Sequence, residues 1–526
     1  MTLLKDFATV GGATASSRVL GFIRDMFIAA ALGSGPVAEA FFVAQRLPNL
    51  FRRLFAEGAF QSAFVPLFTR TYEGEGKEAA RRFAEESQAA LALALIVFTV
   101  LAEIFMVWLT YGLAPGFAAE PAKFDLAVML SRIAFPYLLL ISLVTLLSGA
   151  LNGMGRFAAA AFSPALLNVV LIGALIYVYW RGLIESVEAG IILSAAISVG
   201  GVIQLAFLAI ACHRAGLSLR LRMPKLTPGV RRLMRLAGPS VIAGGVVQIN
   251  IVVGTIIASL QPGAVSWLYY ADRLYQLPLG IVGIAIATVL LPEIARAIRT
   301  GRNDVAEHTQ NRGVEFAAAM TLPAAVALFV IPAPILAVLF ERGAFTAADT
   351  AATAPALAAY AVGLPAFVAI RVFQPGFFAR EDTKTPMYFG AVSMIVNVVA
   401  AVILFRYFAQ VGIAAATTIA AWVNTALLIW ALYRRKQFKA DAALRRNLPL
   451  LAVASVAMGI GLYGAAWVLQ PYVADEHALI RIGVIAALVL IGLVLFLAFC
   501  QITGAVDFRR HIATLRARRS PPPPAV

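Results

Sequence analysis

Charge is scarce in this chain. Of its 526 residues only 13% are Asp, Glu, Lys or Arg, about half the share of a soluble domain. With 61% hydrophobic residues and a mean hydropathy of +0.85, a water-soluble globule is excluded and an integral membrane protein is expected. Carboxylates are scarcer still: 27 acidic residues stand against 43 basic ones, so basic groups outnumber their partners. There are two cysteines, Cys212 and Cys500, each closing an apolar segment. They suggest neither a disulfide framework nor a metal site. His213, His308, His477 and His511 fall in loops or at the terminus without metal-ligand spacing. No Walker A motif is present to bind ATP. The first apolar run is too long and too polar for a cleavable signal. The apolar runs do not alternate with period two, and backbone groups cannot go unpaired in lipid, so the expected spans are helices, not barrel strands.

What the chain has is long apolar segments. About fourteen are long enough for a spanning helix of ~20 residues: 7–33, 38–69, 86–111, 125–151, 158–180, 187–212, 233–260, 264–298, 313–339, 349–379, 386–406, 411–433, 447–469 and 479–503. The loops between them alternate in charge. One set, with the termini, holds 30 basic residues, and the opposite set holds five: Lys123, Arg181, Arg342, Arg406 and Arg481. The positive-inside rule then places both termini in the cytoplasm. In a soluble chain a net charge of +16 would suggest nucleic acid. Here the excess sets topology, and no nucleic-acid partner is expected.

The chain also repeats itself. Gly35-Pro-Val-Ala-Glu-Ala-Phe-Phe resembles Gly263-Ala-Val-Ser-Trp-Leu-Tyr-Tyr, Phe135-Pro136 resembles Leu364-Pro365, and Leu167-Asn168-Val-Val resembles Val396-Asn397-Val-Val. The offset stays at 228 or 229 residues and encloses six spans, so the copies have the same orientation. This predicts an all-α polytopic protein of two pseudo-symmetric six-helix bundles, 1–213 and 229–436, related by an axis along the membrane normal. A basic cytoplasmic linker, 214–235, runs into the seventh span. Two further helices occupy 447–503, and a basic, proline-rich tail, 504–526, follows.

Eight of the basic residues fall inside spans. A charge at the bilayer centre costs roughly 2.5–3.5 kcal/mol on insertion scales, so Arg18, Arg24, Arg46, Arg52, Arg53 and Arg273 facing lipid would cost roughly 15–20 kcal/mol. That exceeds a typical net stability. They are expected to face a wet, protein-lined cavity. Thr14, Ser17, Arg18, Gly21 and Asp25 share one helical face, with Arg24 on its flank. Arg46, Asn49, Arg53 and Glu57 share another, with Arg52 beside them, and Pro48 should kink that helix. Asp272-Arg273 lies among Tyr269, Tyr270 and Tyr275 in the element that the repeat matches to the second span. Guanidinium forks bind phosphate oxygens bidentately, so Arg18, Arg24, Arg52, Arg53 and Arg273 are the candidate binding groups for a polyanion. Asp25, Glu57 and Asp272 are expected to orient them, supported by Ser17 and Asn49. Arg132 and Arg371 lie near span ends without a polar stripe and read as structural or snorkelling residues; Arg46 reads equally well either way. Glu39, near the outer surface, is either solvated or a gate contact. Glu103 is a structural partner or a coupling site. Asn250, Asn397 and Thr417 are weak Na⁺ candidates that read more readily as interhelical hydrogen-bonding groups.

The resemblance to a known family is specific. Ser17-Arg-Val-Leu-Gly-Phe-Ile-Arg-Asp25 resembles the opening signature of the MurJ (MviN) family of bacterial lipid II flippases. So do Phe41-Phe-Val-Ala-Gln-Arg-Leu-Pro-Asn-Leu-Phe-Arg-Arg-Leu-Phe-Ala-Glu-Gly-Ala-Phe60, Tyr270-Ala-Asp-Arg-Leu274 and Pro375-Gly-Phe-Phe-Ala-Arg380. The resemblance implies the superfamily that also holds MATE drug exporters, with two bundles in a V around a cavity and two extra helices lining a lipid groove. It implies function for Arg18, Arg24, Arg52, Arg53 and Arg273, with Asp25 at the substrate site. It further implies a bacterial inner-membrane transporter, not an enzyme, acting on lipid II within cell-wall synthesis. No cofactor is implied, and the drive would come from membrane potential, Na⁺ or H⁺. The acidic Na⁺ site of some members has no obvious acids here. The rival readings are a MATE-type drug/cation antiporter, which would want cavity carboxylates, a flippase for another polyprenyl-diphosphate glycan, and a membrane-embedded glycan polymerase. The last would want paired carboxylates or a metal on a sizeable outer loop, and these loops are short.

Overall fold

The computed structural model describes residues 2–220, 222–473 and 478–504; at 2–8, 56–59, 239–247, 284, 285, 287, 288, 473 and 478 it describes backbone alone. The proline-rich tail expected after Gly504 lies outside the described residues. Regular structure among the described residues is entirely helical, as hydropathy and backbone satisfaction in lipid require.

The helices are α1 (Thr2–Leu32), α2 (Pro36–Phe51), α3 (Gln61–Gly74), α4 (Lys77–Ile104), α5 (Met106–Leu113), α6 (Pro121–Ala134), α7 (Tyr137–Gly153), α8 (Phe157–Trp180) and α9 (Val187–Arg214). They continue with α10 (Pro228–Ala258), α11 (Ala264–Arg299), α12 (Asn303–Val330), α13 (Pro332–Phe340), α14 (Ala347–Phe378), α15 (Lys384–Arg434), α16 (Ala442–Val473) and α17 (Ala478–Thr503). A π-helical segment, Arg52–Phe60, joins α2 to α3.

Among the described residues nine helical stretches are long and apolar enough to cross a membrane. The stretch Lys384–Arg434 contains two helices. It breaks at Ala409 (φ 50°, ψ −131°), and Gly412 packs on the Leu404 carbonyl so closely that a Cβ would lie 2.5 Å from it. α1, α2 and α11 are outside the nine. They carry Arg18, Arg24, Arg46 and Arg273.

The chain divides into two compact units. The first is Met1–Tyr270 with Phe340–Asp349. Small residues let its helices cross closely: Gly21 of α1 lies under the Asn168 amide of α8, Gly200 of α9 faces Leu167, and Gly201 faces Tyr137 and Leu140 of α7. α10 runs along the π-helical segment. The linker after α9 is tied to α4 by two carboxylates. Glu85 accepts from the Arg220 amide (3.1 Å) and from Arg222 Nε, and Glu86 accepts from Thr227 Oγ1 (2.8 Å). The 340–349 segment joins this unit because the Ala344 amide donates to the Ala30 carbonyl (2.9 Å).

The second unit is Ala271–Leu339 with Thr350–Val526. Val282, Ile286, Leu290 and Ile294 of α11 pack against Val368 and Val372 of α14. Phe373 and Phe377 of α14 pack on Leu428 and Leu432 of α15. The two helices expected outside the repeat, α16 and α17, build a core with α12 from Leu451, Ala454, Met458, Phe496 and Ala318. Both cysteines are buried free thiols.

Candidate functional site

The first unit gathers a polar network around α1. Asp25 is buried, and its Oδ1 accepts from Arg24 Nε (3.0 Å), Arg24 Nη2 (2.6 Å) and Tyr269 Oη (2.9 Å). Arg24 Nη1 donates to Asn168 Oδ1 (2.9 Å), whose amide in turn donates to the Ser17 carbonyl (3.0 Å). A guanidinium has five donors in a fixed fork. Three bonds to two acceptors hold its plane, while 12% of the Arg24 side chain remains exposed. Tyr269 is itself set by stacking on the fully buried Phe42 ring (4.0 Å between centroids), and its neighbour Tyr270 donates to the Gly33 carbonyl (2.7 Å). The start of α11 is thereby fixed against α1 and α2.

Arg18 is exposed, two turns before Asp25 on the same helix. Among the described residues it makes no hydrogen bond or ion pair. Arg52 is half-buried and Arg53 exposed at the head of the π-helical segment. That segment follows Pro48 by four residues, and its i→i+5 bonding changes the register. The shared face drawn for Arg46, Asn49, Arg53 and Glu57 at 3.6 residues per turn therefore holds only as far as Phe51. Asn49 Nδ2 donates to the Gln45 carbonyl of its own helix (2.8 Å). The Glu57 side chain lies outside the described residues. Arg46 donates from Nη1 to Thr255 Oγ1 on α10.

Glu39 is not solvated. It is buried and bonded to Lys123 Nζ (2.5 Å), and it accepts from the Val265 amide at the start of α11 (3.2 Å). Lys123, read from sequence as a loop charge, is buried over the Phe117 ring. Burial of one charge demands the other. Glu103 has Arg132 as an electrostatic partner.

In the second unit, Arg273 is half-buried and Asp272 accepts from Gln276 Nε2 one turn on. Tyr275 stacks between Tyr360 (4.8 Å) and Phe367 (5.5 Å). Of the weak Na⁺ candidates, Asn397 is buried in this unit, Thr417 donates to the Ile413 carbonyl (3.0 Å), and Asn250 lies in the first unit.

The structure thus joins Ser17, Arg24 and Asp25 in one network. It sets Arg18, Arg52 and Arg53 in the same unit and Asp272 and Arg273 in the other. Sequence reasoning did not assign roles to Asn168, Tyr269, Thr255 or Lys123. Asn168 did carry a signal, since the repeat pairs it with Asn397. With one carboxylate engaged and Arg18 and Arg53 exposed, the first unit offers cationic forks suited to phosphate oxygens.

A family profile described as MurJ, lipid II flippase MurJ, matches residues 28–504. A Rhizobium meliloti (strain 1021) protein named probable lipid II flippase MurJ is 50% identical over 93% of this chain and 92% of its own. A Rhizobium tropici protein of the same name is 45% identical over 99% and 98%. Among solved structures, a lipid II flippase MurJ in an inward closed conformation superposes with a TM-score of 0.78 at 24% identity, covering 96% of this chain and 99% of that one. An inward-facing MATE family multidrug transporter of the MOP superfamily superposes at 0.66 with 16% identity, covering 82% and 96%. At these identities the two solved structures speak to the fold alone.

Proposed function

Because the chain belongs to the lipid II flippase MurJ family, we propose that it moves lipid II from the cytoplasmic to the periplasmic leaflet, its diphosphate held by Arg18, Arg24, Arg52, Arg53 and Arg273. The observation that carries this reading is the Arg24–Asp25–Asn168–Tyr269 network, with Arg18 and Arg53 exposed in the same unit. An arginine oriented by bonds to a buried acid and an amide is held in place for a ligand without paying again for order. Asp25 would then tune and aim Arg24 and not bind a cation.

In this reading the protein is a multi-pass inner-membrane transporter of fourteen spans with both termini inside, organised as bundles 1–213 and 229–436. The sugar-peptide head occupies a hydrated cavity, the polyprenyl tail stays in lipid beside α16 and α17, and the site is exposed alternately to the two sides. The work is transport, not bond-making. Inside-negative potential favours outward movement of an anion by about 2.3 kcal/mol per charge per 100 mV, a drive to which Na⁺ or H⁺ could add. Glu39, tied to Lys123 and Val265, is the candidate gate. Cell-wall synthesis enzymes are the expected partners.

The test is substitution of Arg24 by Ala, followed by lipid II reaching the outer leaflet. Loss of flipping at normal protein level is expected. Normal flipping at normal level would remove the anion-site assignment.

A further inference from the structure

Within the second unit, α11 and α14 line an open cavity of about 440 Å³ that the arginine network does not use. Its walls are apolar, formed by Leu279, Leu291, Phe367 and Ile370, and two polar side chains enter it, Arg371 and Gln374. These stand three residues apart on α14 and so share a face. Among the described residues neither makes a hydrogen bond or ion pair. The Arg371 stem lies flat on α11 at Gly283, where a Cβ would come within 2.8 Å of Cδ and 3.1 Å of Nε. The glycine thus leaves room for this one placement of the guanidinium.

A cation inside a span needs an anion or water. The sequence reads Arg371 as a structural or snorkelling residue; in the fold the side chain is exposed, lies against Gly283 and lines the apolar cavity. Its depth identifies the anion. Arg371 is two turns, about 10 Å, from the end of α14, and that end carries Arg380, Lys384 and Arg435. A basic end is the cytoplasmic end, so the cavity lies near the headgroups of the inner leaflet. One guanidinium and one neutral amide balance a single negative charge, whereas a diphosphate calls for several cations. Phe378, which is exposed, adds an apolar ring to the lining, as acyl chains require.

We propose that the Arg371–Gln374 cavity between α11 and α14 binds the phosphodiester of a monoanionic phospholipid from the cytoplasmic leaflet. Arg371 bonds the non-ester oxygens, the Gln374 amide donates to an ester oxygen, and the chains follow the apolar walls.

The experiment is native mass spectrometry of the full-length protein, delipidated in detergent and titrated with phosphatidylglycerol or phosphatidylcholine. Retention of one phosphatidylglycerol about tenfold more tightly than phosphatidylcholine is expected, the scale of one charge-assisted hydrogen bond. Arg371→Gln should abolish the preference. Gly283→Ala keeps the charge but pushes the arginine stem off α11, and should weaken it in the same direction. If Arg371→Gln does not fold, Gly283→Ala and Gln374→Leu carry the test. Equal retention of both lipids by the native chain, or unchanged preference in the folded variants, would overturn the assignment. So would displacement of the bound phosphatidylglycerol by a stoichiometric polyprenyl diphosphate, which would give the cavity to the transported substrate.

Discussion

At the scale of the residue, the arginines in apolar segments were legible from cost alone, because few side chains are as expensive in lipid. Their partners were less legible. Asn168 lies 144 positions from Arg24 and sits in a run of apolar residues, where an amide reads as an interhelical hydrogen bond of no stated purpose. In the folded chain it accepts from Arg24 and donates to Ser17. Replacing Asn168 with Leu leaves the guanidinium without one acceptor and the Ser17 carbonyl without one donor. A loss of about 1.5–3 kcal/mol is expected for a hydrogen bond to a charged group. Lipid II flipping should fall by at least tenfold at unchanged protein level, measured by outer-leaflet accessibility of the lipid. Unchanged flipping would mean that Arg24 is aimed by Asp25 alone.

At the scale of the element, the joints between helices are set by backbone geometry that hydropathy does not report. Gly343 has φ +59°, and a Cβ there would come within 2.3 Å of the Ala30 carbonyl oxygen. Both a left-handed backbone and a close approach therefore demand glycine. Gly343→Ala should destabilise the first unit by about 1–3 kcal/mol, seen as a lower thermal unfolding midpoint in detergent. A midpoint equal to that of the native chain would refute the strain argument. The joint between α14 and α15 is electrostatic. The Thr385 hydroxyl, together with Arg435, holds the Asp382 carboxyl down at about 2. Its unfolded value is about 3.9. A depressed carboxylate contributes stability above the unfolded value and loses it as pH falls through the folded one. The contribution should be constant from about pH 5 to 8 and disappear between about pH 4 and 2. Unfolding midpoints of Asp382→Asn and the native chain should therefore differ at pH 7 and converge at the acid end. A difference that persists at pH 2 would assign the effect to packing.

At the scale of the molecule, the charge imbalance has an energetic consequence. On the proposed reading the cargo is an anion held by arginines, and a transported anion responds to voltage. In proteoliposomes with the native orientation, an inside-negative potential should raise outward movement of lipid II, by up to about 2.3 kcal/mol per charge per 100 mV. Collapsing the potential with a potassium ionophore at equal potassium should remove the increase. Flux that ignores the potential would mean that the diphosphate moves with compensating cations.

Composition and the spacing of apolar runs were enough by themselves to determine an all-helical membrane protein, because lipid leaves the backbone no other way to satisfy its hydrogen bonds. The cost of charge in lipid was enough to single out the arginines. Tertiary structure alone decided which partners hold them. It placed Asn168 and Tyr269 on Arg24 and Asp25, and it buried Glu39 against Lys123. It also changed the helical register at Arg52 through a π-helical segment. The reason is range. Hydropathy and periodicity are properties of neighbours in the chain, whereas a hydrogen bond across 144 residues exists only after the helices that carry its ends have packed.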